Sequence, residues 1–185
     1  MTGMGRFATA LAAALLCSAA AAQEQAFDDG MVPRWEVVEI ASGLREHAAS
    51  AITIVDGLRP NEWTSNGAPE VYLDQARELR AGLGDLDLSA AALARSPEKL
   101  SYVVDTFLWL DRAHSMMRSL SAGVRKYQSP ALADLMDAAE NAHGGSVERL
   151  KEYMRQLAAS AESEMAIAHE EAQRCRGQIV SRPGR

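Results

Sequence analysis

Cysteine is nearly absent. The 185-residue chain has two, and Cys17 lies in an N-terminal stretch that reads as a leader. That leaves Cys175, which has no internal partner, so a disulfide framework is excluded. Cys175 reads as a small helical hydrophobe or as the site of an intermolecular bridge. Aromatic residues make up only 5% of the chain, and runs of β-branched residues are scarce, which argues against a sheet. The chain carries no CxxC pair, CxxCH haem attachment, GxSxG elbow, HExxH pair or Gly-rich phosphate loop. Basic charge is also short. The formal net charge is −6, and removing residues 1–22 takes away one Arg and no acid. A basic footprint for nucleic acid or an anionic membrane surface is missing.

Abundant Ala and Leu with mixed charges point to helix. Residues 1–22 read as a bacterial-type signal peptide. Arg6 gives the positive start, Ala8 to Leu16 the apolar core, and Ala20 and Ala22 the small residues before cleavage. The expected location is the periplasm or outside the cell. No stable membrane insertion is expected after cleavage. Leu16 stands where a lipoprotein signal has a small residue, so Cys17 is expected to leave with the leader. Residues 23–33 read as a flexible segment, 34–176 as a helical bundle, and 177–185 as a disordered tail.

The bundle is read from steps of three and four. The first helix is expected from Arg34 to Leu58, with His47 on a seam of Val37, Ile40, Leu44, Ala51 and Ile54. The stretch Trp63–Gly67 reads as a loop, with Trp63 covering one end of the core. A second helix begins near Pro69, weakens at Gly82 and Gly84, and hands over at Ser89 to a short helix ending at Arg95. Ser96-Pro97-Glu98 reads as the start of a central helix running to about Lys126, and Ser129-Pro130 repeats that signal. The seam of the central helix is Leu100, Val103, Phe107, Leu110, His114, Met117 and Val124. The last stretch, Pro130 to Arg176, carries an apolar seam through Gly144-Gly145. The unbroken phase favours one continuous, bent helix. The competing reading ends a helix at His143, with Gly144 as its stop and Ser146 as a new cap. A continuous helix would be about 70 Å long, at 1.5 Å per residue, and would overhang the rest. The expected architecture is an all-α, up-down-up-down four-helix bundle.

Counting from the helix ends places His47, His114 and His143 at one height on three seams, with Glu78 near the same level. Asp111 and Glu140 each stand three residues before a histidine. Inward carboxylates and Glu-x-x-His pairs build metal sites in bundles. Imidazole and carboxylate suit Zn, Fe, Mn or Cu. The layout is similar to that of the b562-like haem bundles and of DinB-like three-histidine bundles, although no motif carries either resemblance. The sequence ranks two readings. The first is a secreted bundle acting through its surfaces as a scaffold or adaptor, without catalysis, pairing as a homodimer or with an envelope partner through the C-terminal helix. The second is a transition-metal or haem-binding bundle. Its candidate ligands and orienting groups are His47, His114, His143, Glu140, Asp111 and Glu78.

Overall fold

A computed structural model describes residues 32–180. The leader expected at residues 1–22 and most of the flexible segment expected at 23–33 lie outside the described residues. The described chain is all-α, a four-helix bundle with a long C-terminal helix. Helix α1 spans Arg34–Asp56, α2 Pro60–Ser65, α3 Val71–Arg95, α4 Leu100–Tyr127, α5 Pro130–Asn141 and α6 Gly144–Val180. The rods of the bundle are α1, α3, α4 and the α5–α6 pair. Packing runs α1 on α3, α3 on α4, α4 on α5 and α6, and α5 back on α1, which closes the ring of neighbours. Among the described residues no helix is long and apolar enough to cross a membrane.

The core follows the seams. Val37, Leu44, Ala48 and Ala51 of α1 are buried against Leu79, Leu83, Leu86 and Leu93 of α3 and Val103, Leu110, Leu120 and Val124 of α4. At one end Gln128 acts as a clamp. Its Oε1 accepts from the Arg59 backbone N–H at 2.9 Å and from the Trp63 indole at 3.1 Å, and its Nε2 donates to the Gly57 carbonyl at 2.9 Å. At the other end the Tyr153 hydroxyl donates to the Pro97 carbonyl at 2.9 Å, tying α6 to the α3–α4 turn. Near Tyr153, the Val32 N–H donates to Gln156 Oε1 at 2.7 Å.

Several boundaries differ from the sequence reading, each for a local reason. Trp63 lies on a one-turn helix rather than a loop, because Pro60 starts a turn whose indole the core can bury. Trp63 does cover a core end. Helix α3 runs unbroken through Gly82, Gly84 and Ser89. Gly82 packs beside Trp109, and the Ser89 hydroxyl donates to the Leu86 carbonyl instead of capping a new helix. Ser96-Pro97-Glu98 forms a turn, and α4 begins only at Leu100. Ser129 does cap α5, accepting from the Leu132 N–H at 3.4 Å. The last stretch breaks at Ala142–His143, so the continuous reading is replaced by two helices. The alternative break signals also differ: α6 begins at Gly144, before Ser146, and Gly67 is the described glycine with positive φ. Residues 177–180, expected in a tail, continue α6.

Candidate functional site

Three rods bring one histidine each to the middle of the bundle. His47 sits about half-way along α1, and His114 half-way along α4. His143 stands in the turn between α5 and α6, where its carbonyl accepts the first N–H groups of α6, from Ser146 at 3.0 Å and Val147 at 3.3 Å. The bend therefore sets His143 at the height of the other two. The His47 and His114 ring centroids are 5.7 Å apart and nearly perpendicular, and those of His47 and His143 are 4.4 Å apart. His47 and His114 are buried, at 5% and 7% exposure, whereas His143 is half-buried and forms the mouth of the layer.

The layer is short of protons. Nε2 of His47 and Nε2 of His114 are buried without a hydrogen-bond partner. Burial, followed by repulsion from His143 and His114, pushes the His47 pKa down to about 4. Burial also lowers His114, against the pull of Glu140. Arg118 and His143 add to the lowering, and Asp111 opposes it. His143 is lowered by burial. All three imidazoles are accordingly neutral near pH 7, the form that offers a lone pair. An unpartnered buried nitrogen costs about 1–3 kcal/mol, so two on neighbouring rings need a reason.

The carboxylates divide. Glu140 is mostly buried beside the layer and accepts from Arg118 at 2.8 Å. Asp111 is exposed one turn before His114 and acts on it through charge alone. Glu78 faces solvent and pairs with Arg112 at 3.2 Å, so it stands outside the layer. Its side chain is on the outer face of α3, away from the histidines. Arg118, which the sequence reading did not single out, completes the site as the partner of Glu140. An Arg one turn after the seam histidine was the available signal.

Imidazoles sharing one metal ion, with metal–nitrogen bonds of about 2 Å, have ring centroids about 4.5–5.5 Å apart. The His47–His114 and His47–His143 separations bracket that range. In their present rotamers, no three His, Cys, Asp or Glu side chains among the described residues form a ready metal cage. Closing one requires ring rotation, and ideal Cβ positions at Gly144 and Gly145, next to His143, meet only open space. Compared with known proteins, the chain matches no family model, no curated protein and no solved structure.

Proposed function

We propose that the protein binds a divalent transition metal ion in the histidine layer. His47, His114 and His143 are the ligands, and Glu140, held by Arg118, is the carboxylate that either joins them or steadies His114 through its charge. The observation that carries this reading is the pair of buried, unpartnered Nε2 atoms on His47 and His114. Three imidazoles suit Zn, Cu or Fe better than Mg or Ca, which prefer oxygen ligands. Three protein ligands leave a coordination position open at the half-buried His143 side. The leader read from residues 1–22 would place this chemistry in the periplasm or outside the cell.

The test is titration of the purified, chelator-treated chain with zinc and copper ions. One ion per chain, bound at micromolar or tighter affinity and weakened at least 100-fold by His114→Ala or His47→Ala, is the expected result. His169→Ala, on an exposed turn far along α6, should leave binding unchanged. Absence of binding, or binding indifferent to His114→Ala, would overturn the reading. A surface-acting role draws its support from a different place, the exposed second half of α6.

A further inference from the structure

From residue 161 to residue 179 every side chain of α6 is exposed. These 19 residues extend about 28 Å past the end of the bundle, at 1.5 Å per residue. Apart from Ala166 and Ile167, their apolar positions fall on one line. Ala161, Met165, Ala168, Ala172, Cys175 and Ile179 follow one another in steps of four and three, a strict 3.5-residue repeat. Met165 is 68% and Ile179 74% exposed. An unsupported helix of this length is marginal in water, and its stability normally comes from packing an apolar face.

The direction of that face limits what can cover it. Ala168 stands eighteen residues after Leu150, and Cys175 eighteen after Leu157, which is about five turns. Leu150 is buried in the bundle and Leu157 half-buried. The seam therefore continues the bundle-facing side of α6 beyond the point where the bundle stops. Charge is also unevenly placed. Glu162, Glu164, Glu170 and Glu171 crowd the first part of the overhang, and Arg174 and Arg176 the last.

We infer that the overhang pairs antiparallel with the overhang of a second copy of this chain. In a heptad frame the seam residues then meet in a self-complementary register. Ala161 packs on Ile179 of the second copy, Met165 on Cys175, and Ala168 on Ala172, each pair occurring twice about a twofold axis. Small residues face large ones in the outer layers. Glu162 lies beside Arg176 of the second copy, also twice. Glu171 meets its own copy near the axis, a like-charge contact that the two Glu–Arg pairs and the apolar layers outweigh. A parallel pairing is ruled out by the direction of the seam. It would drive the partner's first half of α6 into the side where α4 packs. The antiparallel arrangement leaves the two bundles at opposite ends.

Sedimentation equilibrium on the full chain between 1 and 100 μM tests this. The expected result is a dimer. Glu162→Arg and Arg176→Glu should each weaken it at least tenfold, and an equimolar mixture of the two variants should restore it, because each repulsive pair becomes attractive in the mixed dimer. Met165→Cys, oxidised, should give a covalent dimer through Cys175 of the second copy. Thermal unfolding of the bundle keeps the result interpretable, since none of these side chains touches the bundle and its main unfolding step should be unchanged. A monomer at 100 μM, a mixture that fails to re-form the dimer, or a wild-type dimer linked Cys175 to Cys175 would overturn the inference.

Discussion

At His47 the imidazole has lost its water without gaining a hydrogen-bond partner for Nε2. Its pKa falls from 6.5 to about 4, chiefly through burial. In the unfolded chain the same ring takes its proton near 6.5, so between these values the unfolded state binds more protons. Stability then rises with pH across the window and is lost as pH falls from about 6.5 toward 4. His114 and His143, also lowered, contribute in the same direction. Urea unfolding of the metal-free protein at pH 7 and pH 4.5 should show a loss on the order of 1–2 kcal/mol, because solvent reaching the layer at His143 screens part of the full effect. An unchanged or higher midpoint at pH 4.5 would contradict this. His47→Leu removes the orphaned nitrogen while keeping an apolar filler of similar size. The metal-free variant should be as stable as the parent or up to about 1 kcal/mol more stable, and it should lose the part of the acid sensitivity that His47 carries, leaving the smaller share of His114 and His143. A drop of 2 kcal/mol or more would mark His47 as a structural core residue. Gly123 makes the opposite point about space. A Cβ there would lie 2.8 Å from the Tyr72 ring. Gly123→Ala should destabilise by about 0.5–2 kcal/mol despite the better helix propensity of Ala, as read by thermal unfolding.

Between elements, one side chain does much of the joining. Gln128 satisfies a backbone N–H, a backbone carbonyl and an indole N–H at the α1–α2 connection. Gln128→Ala leaves the Trp63 indole unpaired and should cost about 1–3 kcal/mol, with a shift in Trp fluorescence that Gln128→Glu largely avoids because its Oε1 still accepts. This clamp was not visible in the chain, since a Gln just past a helix end has no periodicity to mark it. What was visible were the long rods. The starts of α1 and α5 and the body of α4 follow from apolar spacing and from the Ser129-Pro130 cap, which are local. The misread boundaries share another cause. Gly82, Gly84 and Ser89 look like weak points by propensity, but the packing of α3 between α1 and α4 overrides them. At Gly144-Gly145 the apolar phase continued through the sequence while the backbone turned two residues earlier, so periodicity could not reveal the bend. The three histidines were legible because height along a rod depends on counting residues, and slips of a turn were small beside a 23- to 28-residue helix. Glu78 was misjudged because height says nothing about face.

For the whole molecule, the histidine layer and the overhang make separable demands. The layer sits at mid-height among α1, α4 and the α5–α6 turn, so a metal ion there would join three of the four rods. The overhang touches none of them. Binding to the folded state alone stabilises by about 2.7 kcal/mol when free metal is 100 times its Kd. For a domain of about 150 residues that corresponds to a rise in Tm of about 5–10 °C. Zinc should therefore raise the Tm of the full chain by this amount and leave His114→Ala unmoved. A chain ending at Ser160, which keeps the Tyr153 anchor and Leu157, should show the same zinc shift at any protein concentration. The full chain without metal should instead show a helix signal from residues 161–179 that melts earlier at low concentration, as expected for a contact between copies. If the shortened chain lost the zinc shift, the ion would be bound on α6 beyond the bundle, and the layer would hold three histidines for packing alone.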